Sequence, residues 1–121
     1  MKRESTTRNE IEKTKRILRS QMKEHNLEAA RETAYEGLRT VLKAPRSPLS
    51  DRDTAWFRLR QLEIEYERLA QQEKHGNPPT IKEAFALRTR LVNFVNYFNQ
   101  YDDLINDAEN LMESTEELRV C

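Results

Sequence analysis

Through the last third of the chain, apolar residues return at steps of four and three: Leu87, Leu91, Phe94, Phe98, Tyr101, Ile105, Ala108 and Met112. That rhythm marks one face of an α-helix, and it predicts a single long helix over residues 81–113. Asn93, Asn96, Asn99, Gln100, Asp103, Asn106 and Asp107 gather on the opposite side. A strand would scatter them over both faces. Such a helix would be ~50 Å long at ~1.5 Å per residue, too long to cover its own apolar side, so it needs partners. Tyr97, Leu104 and Leu111, seven apart, make a flanking row suited to a second helix.

The earlier segments carry weaker versions of the same period. Ile11, Leu18 and Met22 share a face over 7–25, and Thr7 with Glu10 has the spacing of a capping box that would start this helix. His25 and Asn26 form a stop, Asn being tolerant of a left-handed cap, and Asn26 can also serve as the N-cap of the next helix, leaving only a kink between the two. Leu27, Ala30, Ala34, Leu38, Val41 and Leu42 line a second helix over 27–43, in which Gly37 implies close approach of a neighbouring helix. Pro45 and Pro48 break the chain. A third helix follows over 51–74, capped by Ser50, with Ala55, Trp56, Leu59, Leu62, Tyr66 and Leu69 on its main face. Phe57 and Ile64 lie off that face and are candidates for contact with a second partner. Gly76-Asn77-Pro78-Pro79 is a turn, and Thr80 with Glu83 is another capping box.

The expected fold is therefore all-α: a small elongated bundle of about four helices with a long C-terminal helix. It forms one domain over residues 1–121, with residues 1–6 and 114–121 frayed or disordered. Composition agrees, because 36% of the 121 residues are hydrophobic and 35% charged. Those values are low and high against the usual ~45–50% and ~25%, so the core is thin or is completed by association.

Charge balances to zero overall but is unevenly distributed. Residues 1–23 hold eight Lys or Arg against three acids, while residues 102–117 hold seven acids and no Lys or Arg. Zero net charge gives no general attraction to nucleic acid or to an anionic membrane surface. A local cationic face on the first helix, made of Arg8, Lys13, Lys15, Arg16, Arg19 and Lys23, could still neutralise phosphates or meet an acidic protein. No aromatics are interleaved there to stack on single-stranded bases.

Catalytic and metal chemistry find no constellation. His25 and His75 both fall at predicted helix ends, where a cation suits the helix dipole. Cys121 stands alone at the last position. No Cys/His cluster has zinc spacing, no Glu-x-x-His pair is present, and two distant glycines build no phosphate loop. No catalytic residue, metal or cofactor is expected. A lone cysteine fits a reducing compartment, no apolar run is long enough to span a membrane, and no signal segment opens the chain. These features lead to an expectation of a cytoplasmic, non-enzymatic interaction protein: an adaptor, inhibitor or assembly and regulatory factor. It would bind another protein or a second copy of itself through Phe57, Ile64, Tyr97, Leu104 and Leu111. The alternative is a nucleic-acid-binding regulator that uses the basic first helix.

Overall fold

The computed structural model describes the backbone of residues 2–121 and the side chains from Thr7 onward. Among these residues there are five helices and no strands: α1 (Lys2–Lys23), α2 (Leu27–Lys43), α3 (Pro48–Lys74), α4 (Ile81–Tyr97) and α5 (Asp102–Glu116). The all-α class holds, but the helix count is five. α1 starts well before Thr7, because residues 2–6 contain neither Gly nor Pro and consist largely of good helix formers. Met1 and the side chains of residues 2–6, where fraying is expected, lie outside the described residues. The chain divides into two compact units, residues 1–61 and 62–121, which share α3.

In the first unit α1 and α2 fold back on each other. The turn between them is a Schellman motif: Asn26 donates its N–H to the Gln21 carbonyl at 2.9 Å and His25 to that of Met22 at 3.0 Å. His25, not Asn26, takes the left-handed position, with φ of 58°. Asn26 caps α2, the other role its position suggests, with its side chain accepting from the Ala29 N–H at 3.4 Å. α3 opens three residues earlier than expected. Pro48 takes the first helical position, where its missing N–H costs nothing, and Ser47 accepts from the Ser50 N–H at 3.1 Å.

The first core collects Ile11 and Leu18 of α1, Ala30, Ala34 and Val41 of α2, and Ala55, Phe57 and Leu59 of α3, all at most 2% exposed. Gly37 explains how a ring as large as Phe57 fits. A Cβ added at Gly37 would overlap the Phe57 ring. Gly37→Ala would gain ~1 kcal/mol of helix propensity but overpack a filled site, at a cost of about 1–3 kcal/mol. Urea unfolding should show a net loss of about 1 kcal/mol, and a gain would mean that the ring moves aside freely.

In the second unit the C-terminal part of α3 joins α4 and α5. Gly76, φ 78°, ends α3 in a second Schellman motif, with Asn77 donating to the Gln72 carbonyl at 2.8 Å. The capping box at Thr80 and Glu83 is present in both directions. Burial pushes the Tyr66 phenol of α3 above its ordinary titration range, opposed by a hydrogen bond with Ser114 of α5.

The expected single helix over 81–113 is not formed. It breaks at 98–101, and α4 and α5 pack on each other. Two causes act together. One straight rod could not bury its own apolar side, whereas a hairpin can. The break also sets Asp102 and Asp103 in the first turn of a new helix, where the dipole favours acids. Aromatic rings occupy the corner: Phe98 lies 4.9 Å from Phe94, 4.7 Å from Tyr97 and 6.4 Å from Tyr101 between ring centres. Across the corner the buried stripe keeps Ala108 and Thr115 in register, but Leu104 takes the place expected for Ile105. The stripe passes from Leu87, Leu91 and Phe94 to Leu104, Ala108 and Thr115, leaving Ile105 and Met112 half-buried.

Residues 117–121 return to the α3–α4 turn. The Arg119 N–H donates to Glu73 Oε2 at 2.9 Å, and the Cys121 N–H to the Pro79 carbonyl at 3.0 Å. No helix among the described residues is long and apolar enough to cross a membrane.

Candidate functional site

α4 carries two apolar stripes. The inner one, Leu87, Leu91 and Phe94, is at most 4% exposed. The outer one comprises Ile81, Phe85 and Val92, which are 64%, 67% and 37% exposed. Arg88 falls on the same line, giving steps of four, three and four, the spacing by which one helix presents a seam to another. Thr80 fixes where this helix starts, and so fixes the direction in which the outer stripe faces.

The returning C-terminal segment forms a wall beside the stripe. Leu118 and Val120, with Thr115 and Glu116 at the end of α5, border a cleft of about 210 Å³ against Ile81, Ala84, Phe85 and Arg88. Arg88 Nη2 lies 3.0 Å from Glu116 Oε1, spanning the cleft between α4 and α5. The cleft is mostly apolar, with one ion pair in it. It suits the burial of side chains and holds no arrangement of nucleophile and base. Among the described residues no group of three or more His, Cys, Asp or Glu is placed to hold a metal ion.

Sequence spacing contained this outer stripe. It adds nothing to the helix signal, because the inner stripe alone accounts for a helix. The residues singled out for a protein interface are placed differently. Phe57, Ile64 and Leu104 are 0%, 5% and 2% exposed and belong to the packed interior. Leu111 is half-buried, and Tyr97 is 74% exposed with its ring edge-on to Phe98. Tyr35 and Leu42 of α2 form a further exposed pair, with the Arg39 guanidinium 5.9 Å from the Tyr35 ring.

The basic helix is partly committed to its own chain. Asp53 of α3 is 1% exposed and meets two cations. Arg8 Nη2 donates to Oδ2, and Lys15 Nζ to Oδ1 at 2.7 Å. Seven residues separate Arg8 from Lys15, so both project from one side of α1, and one carboxylate receives both. The hydrogen bond to Asp53 raises the Arg8 pKa above its ordinary value. Lys15, Arg19 and Arg60 each lie 5.3 Å from the centre of the Trp56 ring, a cation–π arrangement on a side chain only 8% exposed. Lys13, Arg16 and Lys23 are exposed.

No known family model, curated protein or solved structure matches the chain.

Proposed function

We propose that the protein is a non-catalytic interaction module that docks a protein partner on the outer face of α4 and the adjoining C-terminal segment. The observation that carries this reading is the line of Ile81, Phe85 and Val92 in solvent beside an apolar cleft. A helix that spends two apolar stripes, one buried and one not, is built to bury the second against something else. Full burial of such side chains contributes ~1.5–3 kcal/mol each in gross terms, enough for a few anchors to hold a partner. The alternative of nucleic-acid binding finds less support. Arg8 and Lys15 are bonded to Asp53, and the aromatic nearest the basic helix is too buried to stack on a base.

Immobilised parent protein and Phe85→Asp, compared for what each retains from a cell extract, test the reading. Phe85 is largely exposed, so the variant should keep its helical circular dichroism. A retained protein that is lost with Phe85→Asp is the expected result. Identical retention by both, together with sedimentation that shows no Phe85-dependent self-association, would overturn it.

A further inference from the structure

We propose that the occupant of this surface is a second copy of the chain, docked through α4 laid antiparallel on its counterpart. The inference rests on the reading that the outer face of α4 binds a protein, and it names that protein. Positions 81, 85, 88 and 92 are symmetric about the midpoint between residues 86 and 87, so their spacing is the same in either direction. A two-fold axis through that midpoint sets Ile81 against Val92 of the second copy and Phe85 against its Arg88. Both pairings occur twice, as a two-fold interface requires.

The chemistry fits this alignment and no parallel one. Antiparallel pairing lays a guanidinium on the face of an aromatic ring, a favourable contact, at both central positions. Parallel pairing would set Arg88 beside Arg88, like charge on like charge. Glu116, 3.0 Å from Arg88, holds the guanidinium at the edge of the stripe, and its side chain remains 50% exposed and open to a ring. Ala84 and Thr89 flank the stripe on its two sides, and both are small enough to let helices approach to the usual ~8–10 Å between axes. Leu118 and Val120 extend the apolar area where the incoming helix would rest.

The size of the patch sets the expected strength. Exposures of 64%, 67%, 50% and 37% for Ile81, Phe85, the Arg88 side chain and Val92 amount to roughly 400 Å² per copy, or roughly 800 Å² in all. That is below the ~1,200 Å² of stable interfaces, so the dimer should be reversible, with a dissociation constant in the micromolar range or above.

Sedimentation equilibrium from low micromolar to about millimolar protein tests this. The parent mass should rise from 14.4 kDa toward twice that value. Phe85→Arg faces Arg88 of the other copy with a like charge, and it should weaken association at least about tenfold, with unchanged circular dichroism. The double exchange Phe85→Arg with Arg88→Phe re-creates each ring–cation pair with the partners reversed, and it should restore association. Three results overturn the proposal: a parent that stays monomeric, a Phe85→Arg variant that associates like the parent, and a double exchange that stays as weak as the single variant. If the parent is monomeric yet retains a Phe85-dependent protein from extract, self-pairing falls and the docking surface stands. If it is monomeric and retains none, both fall.

Discussion

Leu91→Asp should abolish the cooperative thermal unfolding of residues 62–121. Leu91 is fully buried on the inner stripe of α4, between Leu87 and Phe94. The substitution removes most of a packed side chain and puts a carboxylate at a fully buried position. The lost leucine alone costs about 2–5 kcal/mol, and desolvating the acid adds to it unless the group takes up a proton. Against a total stability of ~5–15 kcal/mol this is a large share for a unit with one thin core. Asn96→Asp on the exposed side of the same helix should change stability by less than about 0.5 kcal/mol. Thermal melts followed by circular dichroism distinguish the two, and a Leu91→Asp melt coincident with the parent would mean that this face is not packed.

The second large effect is expected at Asp53. Asp53→Ala removes the shared acceptor of Arg8 and Lys15 and leaves two cations at a site that is nearly closed. Breaking a buried pair typically costs about 3–5 kcal/mol. Arg8 is 30% exposed and Lys15 14%, so both can swing partly to water and the loss should fall near about 3 kcal/mol. Replacing all three together, Asp53→Leu with Arg8→Met and Lys15→Met, should be close to neutral, since an apolar cluster of similar volume needs no charge balance. Urea unfolding measures both. A triple variant as damaged as the single one would show that the loss comes from packing around Trp56, not from an orphaned charge.

These cases also show how much of the molecule is legible beforehand. The turn at Gly76–Pro79, the capping box at Thr80 and the close approach at Gly37 follow from local chemistry, and all three are present. The corner at 98–101 is not legible, because Phe94, Phe98 and Tyr101 keep helical spacing straight through it and neither Gly nor Pro interrupts them. The cations of α1 are plain in the sequence, but their acceptor lies 38 and 45 residues away, and no periodicity reports a pairing at that distance. Phe57 looks like a surplus apolar position when α3 is taken alone. It becomes interior only once α2 offers a glycine to receive it. The outer stripe of α4 is hidden in a different way: one apolar face is enough to specify a helix, and a second at the same spacing leaves the periodic signal unchanged.

The seating of an aromatic ring on bare backbone at Gly37 also constrains how this sequence can diverge. Neither position can change freely alone: a side chain at 37 needs a smaller one at 57, and a smaller one at 57 leaves a hole that 37 is well placed to fill. Descendants of this chain should therefore alter the two sites jointly or not at all, and Gly37→Ala combined with Phe57→Leu should be better tolerated than the sum of the separate changes.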